Sequence, residues 1–295
     1  MLVSVNTGVL FNSFELKESL KIIKDAGFTA FDLSLCGANG LPSTPFDGED
    51  YIEVAKEIRT YADSLGLPCN QAHAVFGSHL GAAKPGTQIF EVTVRCMEIA
   101  SIMGAKGIVV HPMQYLPYMS NARFLKQENL EFYKDLLPYA EKLNIVILTE
   151  NMWQHNPNNH CIIQSTCAEA KEFAEYIDMV DSPYLKGCLD IGHTVLTGES
   201  ITNMCKTLGK ERLVALHIHD VDGHNDNHSL PYTMSVNFGE MIDALADIGY
   251  DGDITFEVGA FVKNMPKELQ PSAMKLMADM GHYFKKEIEK RIRNK

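Results

Sequence analysis

The chain has 295 residues, 45% of them hydrophobic, and a formal net charge of −12. That length suits one large α/β domain or two smaller ones, and with no linker to split the chain a single domain over 1–295 is expected; the acidic balance counts against nucleic acid as the main partner. No apolar run reaches the roughly 18 residues of a membrane span, and residues 1–10, MLVSVNTGVL, lack the charged start and cleavage site of a signal peptide.

The seven cysteines stand singly at 36, 69, 96, 161, 167, 188 and 205. With no CxxC pair and an odd count, the expectation is reduced thiols in a cytoplasmic protein.

Taken in order, strand Val3–Asn6 leads to a helix over 15–28 with Ser13 as its cap and Gly27 as its stop. Strand Thr29–Leu35 and a Gly/Pro/Ser loop over 37–48 precede helix Asp50–Leu65. Strand Pro68–His73 and loop 77–88 precede helix 89–103, and strand Gly107–His111 follows. A long polar loop to about Asn121 leads into helix Gln127–Leu143. Strand Ile145–Thr149 ends at Glu150, and loop 153–164 carries the only Trp. Thr166 and Glu169 have capping-box spacing for helix 167–180. Strand Leu185–Leu189, helix 200–208, strand Leu213–Ile218, helix 239–248 with Asn237 and Glu240 at its start, and strand Asp253–Phe256 follow. Two helices, the last over 272–292, close the chain.

Eight short apolar strands, each followed by a helical stretch at intervals of about 30–40 residues, form the pattern of a (β/α)8 barrel. A doubly wound open sheet is the alternative. The first strand is not followed by GxGxxG, which weakens its dinucleotide-binding version.

Barrel chemistry sits where strands end. Six consecutive strands here end in His, Asp or Glu: His73, His111, Glu150, Asp190 with His193 nearby, His217 with His219 and Asp220, and Glu257. Buried carboxylates repel one another unless a cation lies between them. Glu150, Asp190 and Glu257 converging with a histidine therefore imply a divalent metal. Carboxylate with imidazole and no thiolate suits Mn2+, Zn2+, Co2+ or Fe2+, with Mg2+ also compatible.

The strand-7 stretch LVALHIHDVDGHNDNH (213–228) is the densest part of this pattern. His217 and His219 share one strand face. His217 is the preferred ligand, His219 lies nearer the rim, and Asp220 is the candidate carboxylate for orienting an imidazole. Asp222 and His224 read as solvated loop. Asp226 and His228 form a DxH pair suited to a second metal or a substrate hydroxyl, with an ordinary polar loop as the competing reading.

The pieces LTEN (148–151), CLDIGH (188–193), LHIHD (216–220) and FEVG (256–259) resemble the xylose isomerase-like TIM barrel superfamily. That superfamily holds sugar isomerases and epimerases, inositol-pathway enzymes and endonuclease IV-type nucleases. The resemblance implies Glu150, Asp190, His217 and Glu257 as metal ligands. It implies Glu150 and Glu257 as the acid/base pair and His193 as a substrate contact. His73, His111 and His219 complete the substrate-binding set. The nuclease branch would use His73, His111, His193, Asp226 and His228 for further metals. Two departures stand out. LPYTMSVNF (230–238) replaces a Pro-Gly-x-Gly turn, and Gly223 stands where ketose epimerases carry an arginine.

The resulting expectation is a metal-dependent sugar or polyol isomerase or epimerase. Proton transfer next to a carbonyl would pass through a metal-stabilised enediolate. The alternatives are an endonuclease IV-like multi-metal phosphodiesterase and a non-catalytic sugar- or metal-binding barrel. With no Arg cluster after strands 7 and 8, a non-phosphorylated substrate is expected. Lys84, Arg95, Arg123 and Lys263 are the cations considered able to reach the mouth. Self-association into a homo-oligomer is left open.

Overall fold

A computed structural model describes residues 1–37, 42–77 and 79–295. Residues 38–41 of the expected loop 37–48, and residue 78 of the expected loop 77–88, lie outside the described residues.

The strands are β1 (Val3–Val5), β2 (Phe31–Ser34), β3 (Cys69–His73), β4 (Gly107–Val109), β5 (Val146–Glu150), β6 (Trp153–His155), β7 (Ile162–Gln164), β8 (Leu185–Asp190), β9 (Leu213–His217) and β10 (Ile254–Phe256). Parallel pairing runs β2-β3-β4-β5-β8-β9, and β1 pairs with β10. Single parallel bridges, Asn6 with Asp32 and Ile218 with Phe256, join these two sheets into a closed ring. The result is the expected (β/α)8 barrel.

The helices are α1 (Leu16–Ala26), α2 (Tyr51–Ser64), α3 (Gln88–Met103), α4 (Tyr118–Leu143), α5 (Ala170–Val180), α6 (Ile191–Leu196), α7 (Ile201–Arg212), α8 (Phe238–Asp247), α9 (Gly259–Lys263) and α10 (Gln270–Arg293). Their apolar residues, such as Leu20, Ile23, Phe90, Met97 and Phe173, join the main buried core. Inside the ring, Val109, Leu148, Cys188 and Ala215 form a separate apolar plug. Two residues further along their strands stand Glu150, Asp190 and His217. The two-residue strand period therefore places a polar layer on top of the plug.

Helix starts are where sequence and structure part. Ser13 does not cap α1; its hydroxyl accepts from Gln270 Nε2 at 2.9 Å instead. Thr166 and Glu169 make no capping box. Cys167 takes a positive φ of 61°, α5 begins only at Ala170, and Glu172 reaches back to the Cys167 N–H at 2.9 Å. Asn237 does cap α8, accepting from Glu240 N at 3.1 Å. Helix α4 starts at Tyr118, well before the expected Gln127. Its first N–H is satisfied by Gln154 Oε1 at 2.9 Å, a partner from the far side of β5. The expected loop 153–164 contains the antiparallel hairpin β6–β7, whose three-residue strands are too short for a periodic signal.

Candidate metal and catalytic site

Each strand-end residue singled out from the sequence reaches the top of the barrel. His73, His111, Glu150, Asp190, His193, His217 and His219 are all buried, and Glu257 is partly open to the mouth. Glu150 lies at their centre. Its Oε1 is 3.3 Å from His217 Nδ1 and 3.5 Å from His193 Nδ1. Its Oε2 is 3.2 Å from His111 Nε2 and 4.0 Å from His73 Nε2. Glu257 Oε2 approaches the same His217 Nδ1 at 3.4 Å.

Among the described residues, the candidate ligand atoms fall into overlapping groups, each within 4.8 Å: Glu150, Asp190, His217 and Glu257; His73, His111 and Glu150; His73, His217 and Glu257; and His193, His219, Asp226 and His228. The first is the four-ligand set expected from the sequence. The five residues expected to hold further metals are divided between two of these groups. His73 and His111 group with Glu150, whereas His193, Asp226 and His228 group with His219. Strand order accounts for the split, because β3 and β4 lie on the opposite side of β5 and its Glu150 from β8 and β9. His219 is the member of the second group that sequence reasoning missed.

The loop after β9 supplies Asp226 and His228, and Asp220 folds it. Asp220 is fully buried and orients no imidazole, contrary to expectation. Its Oδ1 accepts from Val221 N and Val236 N, both at 2.9 Å, and its Oδ2 from Thr233 N at 3.0 Å and Met234 N at 2.8 Å. Paired backbone bonds between Asp220 and Ser229 bring the chain back over the mouth. Asp222 and His224 stay in the exposed tip, as expected.

Several histidines are oriented as metal ligands usually are. A ring nitrogen facing a carbonyl oxygen carries a proton, so the other nitrogen is the one that can offer a lone pair to an ion. His73 Nδ1 faces Ala74 O at 2.9 Å, His193 Nδ1 faces Asn151 O at 2.9 Å, and His228 Nδ1 faces Glu257 O at 2.8 Å. Their Nε2 atoms are thereby aimed at Glu150 or Asp226. Glu150 Oε2, His219 Nδ1 and Asp226 Oδ1 are buried without a hydrogen-bond partner. Unpaired buried polar atoms are costly. Oxygen and nitrogen donors this close, with unsatisfied valence, fit a divalent ion of the Zn2+ or Mn2+ type.

The charges reinforce one another. Burial pushes the Glu150 carboxyl up, but His217 and His111 outweigh it and hold it well below the usual carboxylate range. Burial likewise raises Asp190, and His193 and His219 bring it down overall. Burial lowers His228, yet its hydrogen bond to Asp226 carries it up to about 9. His73 is lowered, by burial first and then by His111.

The site opens into a cavity of about 530 Å³. Its floor includes Glu150, His193, Asp226 and Glu257, and its walls include Phe76, Met152, Trp153, Gln114 and Gln154. Among the described lining residues there is no Lys or Arg. Lys84 pairs with Glu128 at 3.3 Å, and Arg95 lies on the Tyr51 ring, 4.2 Å from its centroid. Arg123 and Lys263 do not line the cavity either. Phe76 packs on His73 and His111, with ring centroids 4.9 Å from each. The Trp153 indole N–H donates to Asp226 Oδ2 at 3.2 Å. Trp153 stands three residues after Glu150, and that proximity was its only sequence signal.

Among curated proteins, the chain is similar to uncharacterized protein MJ1311 of Methanocaldococcus jannaschii. They are 28% identical over 63% of this chain and 62% of that one. It is also similar to fructoselysine 3-epimerase of Escherichia coli O157:H7, 25% identical over 58% of this chain and 59% of that one. The chain thus spans about three fifths of the length of these two relatives. Among solved structures it resembles a D-tagatose 3-epimerase-like protein, with a TM-score of 0.72, 22% identity, and coverage of 100% of this chain and 99% of that one. It also resembles an IolI protein with a bound zinc atom, with a TM-score of 0.70, 16% identity, and coverage of 100% and 99%. Residues 20–280 match the family described as xylose isomerase-like TIM barrel, and the chain belongs to that family.

Proposed function

We propose that this protein is a divalent-metal-dependent isomerase or epimerase of a non-phosphorylated sugar or polyol, with 1–295 acting as one domain. The observation that carries the reading is the convergence of two carboxylates on one imidazole nitrogen. Glu150 Oε1 and Glu257 Oε2 lie 3.3 Å and 3.4 Å from His217 Nδ1, on the floor of a cavity with no lysine or arginine among its described lining residues. The likeness to a fructoselysine epimerase and a tagatose epimerase-like fold supports it.

Glu150, Asp190, His217 and Glu257 would hold the ion, with Zn2+, Mn2+ or Co2+ suited to this donor set. The bound ion supplies Lewis-acid polarisation of a substrate carbonyl. Glu150 and Glu257 come from β5 and from the end of β10, so they address a substrate from two sides. One removes the proton next to the carbonyl and the other returns it. His193 and His111 line the same cavity and suit hydroxyl contacts, and Trp153 and Phe76 present apolar faces to a sugar ring. His73 and His219, buried behind them, act by orienting Glu150 and Asp190. A reducing, cytoplasmic setting suits the seven unpaired cysteines. No described helix is long and apolar enough to cross a membrane.

The test is incubation with neutral ketoses in deuterated water with Zn2+ or Mn2+. Deuterium gained next to the carbonyl supports the reading, and turnover without exchange would overturn it.

A second reading, a multi-metal phosphodiesterase, is favoured by one observation. His193, His219, Asp226 and His228 form a further ligand-grade group beside the first. It calls for several ions per chain and cleavage of abasic DNA. The net charge of −12 and the cation-free lining weigh against a polyanion.

A further inference from the structure

His73, His193 and His228 each have a ring nitrogen fixed by a backbone carbonyl. His217 has none. Its Nε2 points down the barrel, 3.0 Å from the Gln71 side-chain amide and 3.7 Å from Asp32 Oδ2. Asp32 is fully buried on β2. Its Oδ2 accepts from Asn6 Nδ2 at 2.8 Å, and its Oδ1 has no hydrogen-bond partner. The same two residues form the backbone bridge that closes the ring between β1 and β2. A fully buried carboxylate held at a barrel seam costs stability unless it serves a neighbour, and the oxygen turned toward the imidazole is Oδ2, the one Asn6 already holds.

The neighbour is His217, and two arrangements compete. With the Gln71 NH2 toward the ring, Nε2 accepts and the proton sits on Nδ1, facing Glu150 and Glu257. With the amide turned over, its carbonyl accepts a proton from Nε2. The two differ by an exchange of amide nitrogen and oxygen that leaves the heavy-atom outline unchanged. Asp32 breaks the tie. With a cation held between Glu150 and Glu257, Nδ1 presents its lone pair and the N–H left on Nε2 is attracted to Asp32; without the cation, the carboxylates on the two sides favour a proton on each nitrogen.

We propose that Asp32 is a positioning residue that, with Gln71, keeps a proton on His217 Nε2 and so turns Nδ1 toward Glu150 and Glu257. It does for His217 with a carboxylate what backbone carbonyls do for the other three histidines. The inference rests on the reading of Glu150, Asp190, His217 and Glu257 as the metal centre.

The test reads the ring directly. Nitrogen-15 NMR of the His217 side chain in zinc-loaded and metal-free wild type should show Nε2 bearing a proton in both. A lone-pair-bearing Nε2 in either would overturn the proposal without any variant being made. Asp32→Asn, with folding checked by circular dichroism, should weaken zinc affinity by about 10–100-fold, and Asp32→Glu should recover part of the loss. Unchanged affinity in folded Asp32→Asn would also overturn it. If wild type takes up no zinc yet holds the Nε2 proton, the placement of Asp32 stands and the metal-centre reading fails.

Discussion

His219 Nε2 lies 3.0 Å from each oxygen of Asp190. Two residues earlier on the same strand face, His217 looks instead toward Glu150 and Glu257. Asp190 of the four-residue group thus touches His219 of the group containing Asp226 and His228. Replacing the two histidines should separate the groups. His217→Gln is expected to lower zinc affinity by more than about 100-fold, beyond what loss of an orienting partner alone does. His219→Gln should lower it by less than about 10-fold. Calorimetric titration of both variants checks this, and the reverse order would move the ligand one layer toward the rim.

Glu150→Gln and Glu257→Gln keep shape and remove the base. Each should lower turnover by roughly 10²–10⁴-fold, the usual contribution of a positioned acid or base. Exchange of substrate hydrogen with solvent separates their roles. The variant lacking the abstracting glutamate loses exchange, and the other keeps exchange while losing epimerised product.

Acidity should act on the metal-free protein from both ends. Glu150 and Asp190 are held below the usual carboxylate range. Their stabilisation is present above the ordinary carboxylate value and is lost as pH falls through their folded values. His228 is raised to about 9. Its stabilisation is complete below the ordinary histidine value of about 6.5 and is lost as pH rises through about 9. Thermal unfolding from pH 3 to 10 should show both limbs, and His228→Gln should flatten the alkaline one. Metal affinity should rise over the same alkaline range, because ligand histidines must shed protons to bind.

Asp220 accepts backbone N–H bonds from Val221, Thr233, Met234 and Val236. Asp220→Ala strands several of these, at roughly 1–3 kcal/mol for each one left buried and unpaired. A loss of about 3 kcal/mol or more in urea unfolding is expected. Because this loop carries Asp226 and His228, metal uptake at the second group should weaken with it. Loss of stability with uptake intact would show that the loop returns to the mouth without Asp220.

Trp153 is the only tryptophan, and it lines the cavity with its N–H on Asp226. Zinc or sugar entering the cavity should change its fluorescence. Asp226→Asn should alter the starting spectrum and reduce the response to zinc. An unresponsive signal on saturation by either ligand would place binding elsewhere.

The barrel and the strand-end residues were legible from the chain itself, and the reason is local. An apolar run followed by a helical stripe defines a βα unit, and chain direction then puts the last strand residue at the active end. His73, His111, Glu150, Asp190, His217 and Glu257 follow from that rule alone. What the tertiary structure decided depends on partners distant in sequence. Gln154 satisfies the start of α4, Asp220 brings Asp226 and His228 over the mouth, and Asp32 meets His217 across the ring. The division of the histidines into separate groups belongs to the same class. Periodicity states which face a side chain occupies, but only the closed barrel sets which atoms on that face come within reach of one another.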